Sequence, residues 1–178
     1  MARNFKVTDK VSKYKSPWLE LKEYTISRDD QEELYGVIER RDGAVVIATA
    51  SDGRVLFVKQ YRFPIESYSW ELPMGGIEHD EDASAAASRE LVEETGADTT
   101  LSPLGIFTPD PGLSPQKAFV FETKLPNEAL SHIESFNEDV DEIVERRLLT
   151  PAEIRDMIRS GDIHDGFTLG SLALKAYA

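Results

Sequence analysis

Arg89-Glu90-Leu91-Val92-Glu93-Glu94-Thr95-Gly96 is the stretch on which the reading of this chain turns. It closes an alanine-rich run that begins at Asp82, and Gly96 is a C-terminal stop, so residues 82–95 read as one helix. Asp80, Glu81 and Asp82 crowd the helix start, where the helix dipole favours negative charge. Glu90, Glu93 and Glu94 are related by i, i+3 and i+4 and share one face. Like charges so close repel, so a helix gains no stability from them. A hard divalent cation turns the repulsion into binding, because Mg²⁺ takes oxygen ligands at about 2.0–2.1 Å. Arg89 lies four residues before Glu93, where it can pair with it and hold the cluster in place. Taken alone, the stretch also fits a solvated glutamate face, and the residues upstream decide between the two readings.

Upstream stand Gly75, five residues, Glu81, seven residues, and then Arg89. With Glu90, Leu91, Glu93, Glu94 and Gly96, this pattern resembles the Nudix box of hydrolases that act on nucleoside diphosphates linked to another group. Ala97 departs slightly, standing where a bulkier aliphatic residue is usual. The resemblance implies an α+β fold: a Nudix-type α/β/α sandwich with a mixed β-sheet and an N-terminal antiparallel β-hairpin region. It also implies a Mg²⁺ site, with Mn²⁺ as the other candidate. Glu90 and Glu94 match the principal ligands, Glu93 an additional one, and Met74 the backbone carbonyl before the first box glycine. Glu94 and Arg89 join the catalytic set. Gly75 and Gly76 suit a tight approach of backbone to metal and phosphate, although a glycine pair alone reads as a plain turn.

Residues outside the box narrow the branch. Pro111, fifteen positions after Gly96, is similar to a proline of the ADP-ribose pyrophosphatase branch. So are Val58-Lys-Gln-Tyr-Arg62 before Trp70-Glu-Leu-Pro, and the tail that begins at Asp165. That resemblance implies a homodimer in which N-terminal strands (1–42) are exchanged, attached to a hydrolase domain over 43–178. Trp18 and Tyr35 match aromatic residues that sandwich the adenine between chains, with core or interface packing as the alternative. Arg40 and Arg62 match arginines that contact the diphosphate or the terminal ribose, and positioned guanidinium groups suit an anionic substrate. In part of the branch a catalytic glutamate follows the proline loop. Here that position looks like Gln116, and an amide cannot act as a base. Other members take the carboxylate from a later acidic loop. Glu142 is therefore the expected general base, with Glu138, Asp139 and Asp141 as competitors. The expected reaction is Mg²⁺-dependent hydrolysis of a nucleoside diphosphate sugar, most simply ADP-ribose to AMP and ribose 5-phosphate. Another nucleoside diphosphate sugar, such as a GDP-sugar, and a non-catalytic nucleotide-sensing module are the alternatives.

Composition limits the partners. The chain has 178 residues, 33 acidic and 20 basic, with a formal net charge of −13. A surface of that sign repels nucleic acid and anionic lipid, so the expected partner is a small-molecule nucleotide. There is no cysteine, which excludes a disulfide framework, a thiolate metal site and a cysteine nucleophile. Three histidines, His79, His132 and His164, have no nucleophile motif around them. No signal-peptide pattern follows the first residues and no window approaches the roughly 20 apolar residues of a membrane span. A cytoplasmic location is the expectation.

The first dozen residues, rich in Lys and Thr, read as flexible. Residues 17–26 and 34–40 alternate as partner strands, and Asp42-Gly43 marks a turn. Residues 44–50 (AVVIATA) are an apolar run suited to a buried central strand, and 55–61 follow as another strand after Asp52-Gly53. Strands are also expected over 104–107, 118–123 and 143–149. The proline-rich 109–115 is read as a loop. Pro151 opens a helix to about residue 160, and 168–177 form the last helix.

Overall fold

The computed structural model describes residues 5–28, 31–135 and 143–178. The chain divides into two compact units: Met1–Asp42 with Thr108–Lys117, and Gly43–Phe107 with Ala118–Ala178.

The first unit is built on a three-stranded antiparallel sheet in the order β1 (Phe5–Lys15), β2 (Leu19–Arg28), β3 (Gln31–Arg40). The expectation of a flexible N-terminus is corrected here, because residues 5–15 pair with β2 along their whole length. The strand is exposed throughout, its apolar residues Phe5, Val7, Val11 and Tyr14 included. Its backbone ladder is supported by cross-strand contacts instead. Lys13 Nζ lies 2.7 Å from Glu23 Oε1, and Lys10 Nζ sits 4.5 Å above the Tyr24 ring.

The loop Thr108–Lys117 folds with this sheet. The Ile38 N–H donates to the Leu113 carbonyl at 3.0 Å, and the Lys117 N–H donates to Asp42 Oδ1 at 2.7 Å. Gln116 Nε2 donates to the Arg41 carbonyl. An ionised glutamate has no proton to give that carbonyl, so this clip requires the amide.

The second unit is a seven-stranded mixed sheet. Its main path runs β10 (Ile143–Leu149), β5 (Val55–Arg62), β4 (Gly43–Thr49), β9 (Ala118–Lys124), β8 (Ser102–Phe107). β6 (Ser67–Glu71) pairs with β5, and β7 (Met74–Gly76) with β4. Only β4 and β9 run parallel, and the other pairings in this sheet are antiparallel.

β4 lies at the centre of this sheet and is buried on both faces, as its continuous apolar run requires. Ala44, Val46 and Ala48 pack against Ala86, Ala87 and Leu91 of helix α1 (Ala83–Thr95), with Ile133 of α2 (Asn127–Ser135) in the same cluster. Val45 and Ile47 face the other way, into a cluster with Phe57, Leu149, Ile154 of α3 (Pro151–Ser160) and residues of α4 (Gly166–Tyr177). Helices therefore cover both faces, giving the α/β/α layering. Small residues on both β4 and α1 let that helix lie close to the sheet, which sets the depth of its carboxylates.

Helices α1, α3 and α4 each start on a side-chain cap. Asp82 accepts from the Ser84 N–H at 2.8 Å, Thr150 forms a reciprocal capping box with Glu153, and Asp165 accepts from the Thr168 N–H at 2.7 Å. Gly96 closes α1 at φ 70°, the left-handed conformation glycine adopts freely. Among the described residues, no helix is long and apolar enough to cross a membrane.

Candidate active site

The second unit gathers Met74, Gly75, Gly76, Arg62, Arg89, Glu90 and Glu94 around the start of β7 and the last turns of α1. β7 supplies backbone. Gly75 pairs with Ala44, and the Met74 N–H donates to Glu94 Oε2 at 3.0 Å. Gly75 is not in a glycine-only conformation. Its reason is space: a Cβ there would lie 2.0 Å from both Cδ and Oε1 of Glu90. The glycine pair is thus a strand against which a carboxylate is pressed, not a hairpin turn.

Helix α1 separates the three glutamates by depth. Glu94 is 5% exposed, whereas the side chains of Glu90 and Glu93 are 15% and 56% exposed. Burial drives the Glu94 carboxyl well above its ordinary range, and the neighbouring Glu90 charge pushes the same way, against the Met74 N–H and Arg62. Burial also raises Glu90, with Arg89 partly offsetting it.

Arg89 ties the loop to the helix. Its Nε and Nη2 donate to Glu81 at 2.9 and 3.1 Å, its Nη1 to Glu90 at 2.7 Å and Glu93 at 3.2 Å, and its Nη2 also to the Gly76 carbonyl at 3.1 Å. The hydrogen bonds from Arg89 and the Glu78 N–H hold Glu81 below the usual carboxylate range. Hydrogen bonds to Glu81 and Glu90 raise Arg89 still further above its ordinary value. Glu81 is thus the anchor of the arginine that orients Glu90.

The donor set suits a hard divalent cation in its chemistry. It offers only oxygen, and Glu90 and Glu94 repel each other at a buried site where a positive charge would relieve them. Glu93 stands further out than this pair, its carboxylate accepting from Arg89 at 3.2 Å and its side chain 56% exposed. Among the described residues no three His, Asp or Glu side chains converge as a ready-made metal cage. Glu142 and its competitors Glu138, Asp139 and Asp141 lie outside the described residues.

Sequence reasoning passed over Glu71. It is 1% exposed and receives a two-pronged hydrogen bond from Arg62, Nε to Oε1 at 2.9 Å and Nη2 to Oε2 at 2.5 Å. Burial works against the Arg62 charge, but the Glu71 hydrogen bonds outweigh it and the guanidinium is raised overall. A charged residue inside the apolar run Trp70-Glu71-Leu72 was the available signal.

The remaining residues belong to the first unit. Tyr35 and Pro111 come together there in a cavity of about 240 Å³ that Tyr24, Val37, Leu113 and Ser114 also line, and the Tyr35 hydroxyl donates to the Gly112 carbonyl. Trp18 is not part of this cavity and stands 74% exposed. Arg40 is exposed at the end of β3, opposite Leu19.

Residues 39–166 match the family described as NUDIX domain. The chain is 34% identical over 134 residues to the ADP-ribose pyrophosphatase of Bacillus subtilis (strain 168), covering 74% of this chain and 70% of that protein. It is 35% identical over 135 residues to the methanol dehydrogenase activator of Bacillus methanolicus, covering 74% and 71%. A crystal structure of an ADP compounds hydrolase superposes with a TM-score of 0.77 over 97% of this chain and 92% of that one, at 18% identity, a likeness of fold.

Proposed function

This chain belongs to the Nudix family and is a Nudix pyrophosphohydrolase, and on that premise we propose that its substrate is a nucleoside diphosphate sugar, ADP-ribose foremost. The observation that carries the reading is the pressing of Glu90 against Gly75 beside the buried Glu94, with Arg89 holding both sides of the loop. The Bacillus subtilis relative, similar over most of both chains, supports ADP-ribose as the preferred substrate.

Glu90 and Glu94 would hold Mg²⁺, or Mn²⁺ in its place, with Glu93 and the Met74 carbonyl as further oxygen donors. The chemistry such a cation would supply there is neutralisation of diphosphate charge and a lowered pKa for a water molecule. Arg89 fixes the direction of Glu90, and the Met74 N–H fixes one oxygen of Glu94. Gly75 and Gly76 keep the backbone open to the phosphates, and Arg62 offers them a positive charge. Glu142 takes the proton from the attacking water. The water oxygen bonds to one phosphorus, the bridging oxygen leaves with the other, and AMP and ribose 5-phosphate result.

In the first unit, Tyr35 and Pro111 border a cavity suited to a flat ring, and Trp18 presents an exposed indole. An aromatic stack with a base contributes about 1–3 kcal/mol. Arg40 is the remaining arginine assigned to the anionic part of the substrate. The working form is a homodimer with exchanged N-terminal strands, located in the cytoplasm, with no nucleic-acid or membrane partner.

The test is product analysis across ADP-ribose, GDP-sugars and other nucleoside diphosphate sugars, with Mg²⁺ and with EDTA. Glu90→Gln and Glu94→Gln should each abolish turnover, and near-wild-type rates in both would end the assignment. The methanol dehydrogenase activator relative favours a second reading, a nucleotide-binding module that acts on a dehydrogenase. Tight ADP-ribose binding without turnover in the Mg²⁺ arm would select it.

A further inference from the structure

We propose that Glu71 is a positioning residue for substrate: it holds Arg62 so that one edge of the guanidinium is spent and the other stays open for an anionic oxygen of the diphosphate sugar. The inference rests on the hydrolase reading above and adds a residue to it.

β5 and β6 form an antiparallel pair in which Arg62 lies opposite Ser67 and Glu71 opposite Val58. Alternation along the strands puts Gln60, Arg62, Ser69 and Glu71 on one face of this pair. That face is polar, yet Gln60, Ser69 and Glu71 are all buried. The Ser69 hydroxyl has no hydrogen-bond partner among the described residues. Such a stripe is a poor device for stability, since apolar residues of similar volume in place of a buried ion pair commonly leave a protein as stable or more so. The opposite face of the same pair carries Phe57 and Trp70 and packs as ordinary core.

The Arg62–Glu71 pair is asymmetric. Glu71 is enclosed, while about a third of the Arg62 side chain, 35%, remains exposed. Nε and Nη2 are committed to the two oxygens of Glu71. Nη1 has no hydrogen-bond partner among the described residues. The fork geometry therefore fixes the guanidinium plane and leaves its remaining donors pointing away from Glu71.

Arg62 also attracts the Glu94 carboxylate. Both buried carboxylates attract the one guanidinium, and its hydrogen bonds go to Glu71. A carboxamide at position 71 would offer one acceptor in place of two and no charge, so Arg62 would lose its fixed orientation.

Arg62 would contact the anionic substrate alike in the ground and transition states. The loss of its orientation should therefore appear in KM more than in kcat. Wild type, Glu71→Gln, Arg62→Lys and the double variant are compared by steady-state hydrolysis of ADP-ribose in Mg²⁺. Glu71→Gln should raise KM about tenfold and change kcat less than threefold. In the Arg62→Lys background, where the fork is already gone, Glu71→Gln should add no further rise in KM. A KM for Glu71→Gln within twofold of wild type overturns the proposal, as does an equal rise in both backgrounds. If Glu71→Gln does not fold, Glu71→Asp, whose shorter arm keeps the charge but cannot meet both nitrogens, is read against the same criteria. If wild type does not turn over ADP-ribose, the proposed function fails separately. The pairing is then read from calorimetric binding of ADP by the same proteins, where the same non-additive tenfold weakening is expected and its absence is decisive.

Discussion

Gly75→Ala tests the site geometry most directly. A Cβ at residue 75 would fall 2.0 Å from Cδ and Oε1 of Glu90 and 2.4 Å from Oε2, where ordinary contact begins at 3.4 Å. Residue 75 sits in a strand clamped to β4, so the carboxylate must yield rather than the backbone. A retreat of about 1 Å or more by a group that organises the reaction costs on the order of 10²-fold in rate. Overpacking of this kind also costs about 1–3 kcal/mol of stability, which for a chain of this size lowers Tm by roughly 2–12 °C. The assay is kcat for ADP-ribose at saturating Mg²⁺, with Tm measured in parallel. Gly166→Ala is the control. Nothing lies within 4 Å of a Cβ there, so it should leave kcat unchanged and stability equal or slightly higher. A Gly75→Ala enzyme with kcat within threefold of wild type would refute the claim that this glycine exists to admit Glu90.

Glu81→Gln removes the charged anchor of Arg89 and should lower kcat about tenfold through the loss of charge-assisted hydrogen bonds; an unchanged kcat would show that Glu90 and Glu93 alone orient the guanidinium. Burial and the Glu90 charge raise the folded pKa of Glu94 above its unfolded value, so its contribution to stability is fully present below the unfolded carboxylate range and is lost as pH rises through the folded value. In EDTA, Glu94→Gln should therefore melt above wild type at about pH 8, with the gap closing toward about pH 4, and Mg²⁺ should stabilise wild type more than the variant; a gap that is constant with pH would contradict this. Thr150→Ala breaks the capping box of α3 and should cost about 1 kcal/mol, a fall of roughly 2–4 °C in Tm, with kcat unaffected. Gln116→Glu should not supply a new catalytic base and should lower Tm, because a carboxylate cannot donate to the Arg41 carbonyl; faster turnover would overturn that view of residue 116.

Features set by short-range chemistry were legible along the chain. The box spacing, the α1 stop at Gly96, the acidic start of that helix and the buried run of β4 each depend on neighbours within a few residues, and each appears where local propensity places it. β1 was not legible. Its few apolar residues, Phe5, Val7, Val11 and Tyr14, are scattered among lysines and polar residues, and its ladder exists only because β2 lies beside it. Strand β7 escaped because it is three residues long and owes its form to pairing with β4, and helix α2 went unread although its Ile133 is buried.

By itself the sequence determined the chemistry class, because the spacing from Gly75 through Glu81 and Arg89 to Gly96 is written along the chain and needs no tertiary partner. Only the tertiary structure decided how deep each carboxylate lies and what it touches. Packing of α1 on the alanines of β4 buries Glu94 and leaves Glu93 in solvent. The pairing of β5 with β6 brings Arg62 to Glu71, and the packing of α1 against β7 brings Glu90 to Gly75. Desolvation and close contact depend on those placements, and both are set by distance in space rather than along the chain.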